Sequence, residues 1–383
     1  MLLWQALGTK GTIGALSFRA ADWNRVANRT MKESKSMGRH RTVFPLLLTT
    51  LAVLGVGLSY WLSRHKPSEH VMWTAGPGEK IYCIQSGMAD GHVLIASELN
   101  GTWVLRDVDI QGRAAVMASG SGSLQQIGAI TRPNRQAGAT LVGLGRVGES
   151  LPRRLVECDL SQRRTFPILM RDVPAWNMHQ PYSPDGQSLA LLSSGPTGEP
   201  LTRGSIWVMN RQTRRVRLIL NDDTTMKYLA WASDGTLYVY LCRTGQIMAG
   251  KPPTLVSKSK LPSGAFASFA PDGQHIVIFA HGPHTHIVEC DIASGKCRTV
   301  YKTAVEYMPL SIAYFADGRR FAIGLVRRSN QMPVIVGSDG SVLKSKENQT
   351  WNLGAGLAIL RPNLIAAVRL HSNEAPEQVV MFR

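Results

Sequence analysis

Apolar, β-prone runs recur along the chain around one short polar phrase. It reads Ala89-Asp90-Gly91, Ser183-Pro184-Asp185-Gly186, Ser233-Asp234-Gly235, Ala270-Pro271-Asp272-Gly273 and Phe315-Ala316-Asp317-Gly318. Each copy leads into a β-prone run: Val93-Leu94-Ile95, Leu189-Ala190-Leu191, Leu237-Tyr238-Val239, Ile276-Val277-Ile278 and Phe321-Ala322-Ile323. Asp-Gly between apolar runs predicts a hairpin with a tight primed turn, because glycine takes positive φ without a Cβ clash. Two weaker copies carry Asn in place of Asp, at Pro133-Asn134 and Pro362-Asn363. The marks at 90, 134, 185, 234, 272, 317 and 363 stand roughly 45 residues apart. A period of that length, made only of short strands, predicts a propeller.

Each unit resolves into four strands. In the third, the first strand precedes Tyr182 and the second is Ser188 to Leu192; Ile206-Trp207-Val208-Met209 and Val216-Arg217-Leu218-Ile219 follow. A polar turn, Asn210-Arg211-Gln212-Thr213-Arg214, joins the last two. The third-strand phrase returns as Leu155-Val156-Glu157-Cys158-Asp159 and Ile287-Val288-Glu289-Cys290-Asp291. Trp103-Val104-Leu105, Leu255-Val256 and Val334-Ile335-Val336 are expected in the same place elsewhere. Beyond Asn363 the chain holds only a second strand, Leu364–Val368, and a third, Gln378–Phe382. His70-Val71-Met72-Trp73-Thr74 is otherwise without a partner, so it is expected to supply the missing outer strand and close the ring.

These phrases resemble the TolB-type, WD-like propeller repeat over about residues 70–383. The resemblance implies an all-β, about seven-bladed β-propeller of four-stranded blades, with six blades if one weak unit is a long insertion. It also implies protein–protein recognition through the loops that connect strands, which is the role of a non-catalytic scaffold.

One segment is not part of the repeat. Val43–Leu62 is an uncharged run rich in Leu, Val and Gly and closed by Tyr60 and Trp61. Its length suits one N-terminal transmembrane helix with aromatics at an interface. A cleaved signal peptide is the rival, but Gly55-Val56-Gly57 is a poor cleavage site and apolar residues continue past it. Before the run lie Lys10, Arg19, Arg25, Arg29, Lys32, Lys35, Arg39 and Arg41 against Asp22 and Glu33; beyond it, Arg64 and Lys66 are close. Positive charge stays inside, which puts the N-terminus in the cytoplasm and exports the propeller to the periplasm or cell exterior. The expected organisation is a basic tail at 1–42, an anchor at 43–62, a linker at 63–69 and the propeller at 70–383. Residues 1–36 are either a tail or an over-extended start ahead of Met37.

The formal charge of +17 is the next constraint. Residues 65–383 keep +10 of it, which for an exported domain points to anionic lipid or another acidic envelope partner rather than nucleic acid. Arg163-Arg164 and Arg214-Arg215 fall at third-to-fourth strand turns, with Lys296 at an equivalent turn, so they are candidates for a cationic rim that touches an anionic surface. Five cysteines are too few for a disulfide-built fold. Cys290 and Cys297 flank a turn and could bridge its two strands; reduced cysteines in mismatched register are the alternative.

Candidate chemistry is sparse. His281, His284 and His286 lie in one loop, and the last two share the spacing of a metal pair, but no further ligand follows locally. Gly143-Leu144-Gly145-Arg146-Val147-Gly148 has a dinucleotide-binding form but opens no helix, so no cofactor is expected. There is no Gly-x-Ser-x-Gly elbow. The reading of the whole is a membrane-anchored, exported scaffold. Its competitor is a lactonase-like, metal-dependent enzyme or a ligand binder using the central channel. A channel lined with convergent Asp, Glu, Asn or His would favour that competitor, and an uncharged channel lined with Ser, Ala and Gly would favour the scaffold.

Overall fold

A computed structural model describes residues 69–382 apart from 123, 125–128, 132–133, 135, 145–153, 172–177, 194, 197–203, 222–226, 281–285, 303–306, 316, 328–329, 338, 340, 345–350, 362–363 and 371–375. The anchor at 43–62, the basic tail and most of the linker lie outside the described residues. Among the described residues, no helix is long and apolar enough to cross a membrane.

The described strands form a seven-bladed β-propeller. Blade 1 is Lys80–Ser86, His92–Leu99, Thr102–Asp109 and Ala114–Ser121, from inner to outer strand. Blade 2 is Ala129–Ile130, Ala139–Leu144, Arg154–Asp159 and Arg164–Ile168. Blade 3 is Met178–Gln180, Ser188–Ser193, Ser205–Asn210 and Val216–Leu220. Blade 4 is Lys227–Trp231, Leu237–Leu241, Gln246–Gly250 and Val256–Lys260. Blade 5 is Gly264–Phe269, His275–Ala280, His286–Asp291 and Cys297–Lys302. Blade 6 is Met308–Tyr314, Arg320–Arg327, Asn330–Gly337 and Val342–Lys344. Blade 7 is Trp351–Arg361, Leu364–Arg369 and Gln378–Phe382, completed by Glu69–Thr74 as its outer strand. The register of that last pair, Glu69 with Phe382 and Thr74 with Gln378, joins the two ends of the ring.

Two details differ from the sequence pattern. Leu255-Val256 does not form a third strand; Val256 opens the outer strand of blade 4, and Gln246–Gly250 is the third. Gln246–Gly250 escaped notice because Ile247 is its one β-branched residue and it ends in Ala249-Gly250, a composition poor in strand formers. The inner strand of blade 3 leans toward its neighbour. Met178–Gln180 pairs in parallel with Lys227–Trp231, and among the described residues the Tyr182–Leu189 bridge joins the segment that follows it to the second strand of its own blade.

The core lies between blades. Ile278 and Cys290 of blade 5 pack with Tyr240 of blade 4, and Trp351 and Phe382 of blade 7 pack with Phe315 and Ala322 of blade 6. Each blade is therefore covered on both faces, and second strands read as unbroken apolar runs rather than alternating ones. Ser188–Ser193 and His275–Ala280 are buried after their first residue. Outer strands reverse this, and Arg164–Ile168 is exposed until its last residue.

Candidate functional site

The repeated Asp-Gly phrase builds one face of the ring. In four blades the glycine N–H donates to the carbonyl three residues back: Gly186 to Ser183, Gly235 to Ala232, Gly273 to Ala270 and Gly318 to Phe315. The glycine alone takes positive φ, and the aspartate does not. A primed two-residue turn, expected from the sequence, would need the residue before the glycine to adopt positive φ as well or instead. These connections are β-turns followed by a left-handed glycine. Aspartate is used because its carboxylate accepts the N–H two residues on, from Gln187, Thr236, Gln274 and Arg319. The Ser183 hydroxyl and the Gln187 N–H hold the Asp185 carboxyl below the usual range. Asp90 opens a different turn, in which the Gly91 N–H reaches the Leu360 carbonyl of blade 7.

The third-to-fourth strand turns lie on the same face. The N–H groups of Leu160, Arg211 and Ile292 donate to the carbonyls of Gly138, Gln187 and Gln274, at 2.8, 2.9 and 2.9 Å. Each bond ties such a turn to the first-to-second turn of its own blade. Asp159, Asn210 and Asp291 cap these turns by accepting the N–H groups of Gln162, Thr213 and Ser294. Arg163, Arg214 and Gly295 then occupy the same left-handed position, at φ 55, 58 and 68.

The four candidate arginines separate into two kinds. Arg214 donates to Glu157 at 2.7 Å and lies over the Phe166 ring, 5.2 Å from its centroid. Arg211 donates to the other oxygen of Glu157 at 2.5 Å and to the Gly186 carbonyl at 2.6 Å. Glu157 is buried in blade 2, so this fork clamps blade 3 onto it with two charge-assisted bonds. Arg163, Arg164 and Arg215 are exposed and have no acidic partner among the described residues. Lys251, Lys296, Arg319 and Arg361 are further exposed cations at turns or strand ends on this face.

Glu157 was not singled out from the sequence, although a signal was there. An acid recurs at the centre of the repeated third-strand phrase, as Glu157 and Glu289. Glu289 plays a related part, accepting from Arg298 at 2.5 Å and from the Tyr314 hydroxyl of blade 6 at 3.2 Å. A carboxylate between apolar strand neighbours calls for a cationic or hydroxyl partner across a blade boundary.

The remaining candidates are scattered. His281 and His284 lie outside the described residues, and His286 opens the third strand of blade 5 opposite Ala280 and Lys302. Among the described residues, no group of three or more His, Cys, Asp or Glu could hold a metal ion. Cys290 and Cys297 face each other in register and are joined by a disulfide, with Cα atoms 4.1 Å apart. Burial, with Glu157 adding to it, pushes the Cys158 thiol up to about 12, and burial pushes Cys242 up to about 12. Neither is a thiolate at neutral pH. Gly143 and Leu144 end a strand, and the rest of that glycine-rich phrase lies outside the described residues.

The fold places the chain among β-propellers of WD-repeat-like architecture. No protein-family model matches it, and no curated protein matches it. Solved structures do. The β-propeller of Cps50 (Swd1) from Myceliophteria thermophila overlays with a TM-score of 0.56 at 12% identity, covering 82% of this chain and 99% of that one. The oligogalacturonate lyase of Vibrio parahaemolyticus overlays with a TM-score of 0.55 at 11% identity, covering 83% and 96%. TolB from Acinetobacter baumannii overlays more loosely, with a TM-score of 0.46 at 18% identity and 72% and 66% coverage. At such identities the likeness is one of fold, and fold does not fix function.

Proposed function

We propose that this protein is an exported β-propeller, held at a membrane by residues 43–62 and acting as a non-catalytic protein-binding module of the cell envelope. The observation that carries the reading is the make-up of the inner strands, which bound the channel. Lys80–Ser86, Ala129–Ile130, Met178–Gln180, Lys227–Trp231, Gly264–Phe269, Met308–Tyr314 and Trp351–Arg361 contain no aspartate or glutamate. Their charged residues are Lys80, Lys227 and Arg361, each at a strand end, and His179 and Asn352 stand singly in blades 3 and 7 rather than converging in one strand. Channel chemistry of the metal-dependent kind draws on convergent carboxylates, and these strands offer none. The Cys290–Cys297 disulfide supports the exported half of the reading, since such bonds persist in oxidising compartments.

Protein recognition is assigned to the face opposite the turns, where the spacing between second and third strands varies from two residues in blades 1 and 6 to eleven in blade 3. Leu169 and Met308 are exposed there, at 73% and 63%. The test is capture of envelope proteins by residues 67–383, paired with metal analysis of the purified domain. A specific partner lost on Leu169→Glu with Met308→Glu is the expected result. A stoichiometric metal ion together with hydrolytic or lyase turnover would replace this reading with the channel enzyme.

A further inference from the structure

The chain enters the ring on the turn face. Glu69 pairs with Phe382, the end of a third strand, and third strands end on that face. Thr74, at the other end, leads to Ala75, whose N–H donates to the Glu377 carbonyl on the opposite face. Residues 63–68 are all that separate Leu62 from this entry point, a reach of about 20 Å when extended. The turn face also holds Arg163, Arg164 and Arg215, which lack an acidic partner among the described residues. On the outer edge of blades 2 and 3, Phe166 and Leu218, each the third of five residues in its outer strand, are exposed within two residues of Arg164 and three of Arg215. Arg214 of blade 3 covers the Phe166 ring of blade 2, so the two blades present one continuous edge. Val71, Val116, Val256 and Val342 are exposed near the starts of other outer strands. Blades 2 and 3 differ by coupling larger apolar groups to Arg163, Arg164 and Arg215.

We infer that the turn-side edge of blades 2 and 3 rests on a bilayer rich in anionic lipid. Arg163, Arg164 and Arg215 meet headgroup phosphates, and Phe166 and Leu218 lie at the interfacial level. Glu157 has a positioning part. By binding Arg211 and Arg214 it fixes the blade 3 turn against blade 2, and it withdraws those two cations from the lipid. This inference rests on the exported, anchored reading, because the tether is what brings the turn face within reach of a membrane. An acidic protein is the other occupant that cations would suit; a short tether ending on this face favours lipid.

The experiment uses residues 67–383, which form a compact unit closed by its own first strand. The domain is sedimented with phosphatidylglycerol–phosphatidylcholine vesicles, or with phosphatidylcholine alone, at low and physiological salt. Binding to the anionic vesicles, weakened by salt, is expected. A basic residue near an anionic surface contributes about 1 kcal/mol, or about fivefold in affinity. The triple variant R163E/R164E/R215E should therefore lose about a hundredfold or more. A charge-matched control, K260E/K302E/R327E, changes strand ends on the opposite face and should bind within about twofold of the parent. Phe166→Ala should lower affinity severalfold and leave the salt dependence unchanged. Near-ultraviolet circular dichroism checks that each variant is folded. Parent domain that ignores anionic vesicles at low salt overturns the inference, as does a control that loses as much as the turn-face variant. Alkaline extraction of full-length protein tests the anchor separately, so a released chain defeats the tether while vesicle binding still reports on the edge.

Discussion

On the turn face, connections are short and hydrogen-bond to themselves: an aspartate caps its own loop and a left-handed residue completes it. On the opposite face, the spacing between second and third strands varies from two residues in blades 1 and 6 to eleven in blade 3, and no phrase repeats. The difference teaches where information sits in a propeller. Turns that must close within a few residues need particular residue types and therefore repeat. Connections that need not close so tightly are released from that constraint and vary.

The sharpest way to break the comparison is to remove the strand that enters from the turn face. Deleting residues 69–74 strips blade 7 of its outer strand and uncovers Val379 and Val380, both fully buried. Loss of cooperative unfolding or aggregation on heating is expected. A domain starting at residue 76 that melts like the parent would rule out closure by this strand.

Glu157→Ala comes next. It leaves Arg211, which is largely buried, without its carboxylate, and a cost of about 3 kcal/mol in urea unfolding is expected, moderated by the partial exposure of Arg214. A change below about 1 kcal/mol would mean that the fork does not clamp the blades.

Two glycines in the same turn position separate backbone strain from packing. At Gly235 an added Cβ meets nothing within 4 Å, so Gly235→Ala should cost only the left-handed penalty of about 1 kcal/mol. At Gly273 it would come 2.4 Å from the Ala232 Cβ of blade 4, and about 2–3 kcal/mol is expected. Equal losses would show that the blades yield freely at that contact.

Acid should have the smallest effect. The carboxyls of Asp185, Asp234 and Asp291 are held below their ordinary value by hydrogen bonds from Ser183, Thr236 and Ser294 respectively. A depressed folded-state value stabilises the fold above the ordinary carboxylate range, and that contribution fades as pH falls through the folded value. Stability should thus hold from neutral pH to about 4 and decline below it. Replacing the three with Asn should flatten the decline.

Much of the ring was legible because the turn face repeats. Asp185, Asp234, Asp272 and Asp317 each marked a first-to-second connection, and His70–Thr74 was recognisable as the closing strand once blade 7 came up one strand short. The fourth blade was misread at Leu255-Val256 because its third strand, Gln246–Gly250, holds one β-branched residue and ends in Ala-Gly. The parallel pairing of Met178–Gln180 with blade 4 left no trace in local pattern, since it depends on how two blades approach each other. The candidate edge was half legible. Adjacent arginines at equivalent turns drew notice, but sequence spacing cannot say that Glu157 of one blade takes Arg214 of the next and leaves Arg215 exposed. Phe166 and Leu218 read as ordinary strand residues until the outer strands were placed.

The division of labour between the faces can be measured in intact membranes with a photo-crosslinking residue placed singly at Arg215 or at Leu169 of the full-length protein. Adducts to anionic phospholipid at position 215 and to protein at position 169 are expected. Lipid adducts at 169 with none at 215 would contradict the assignment of the turn face to the membrane.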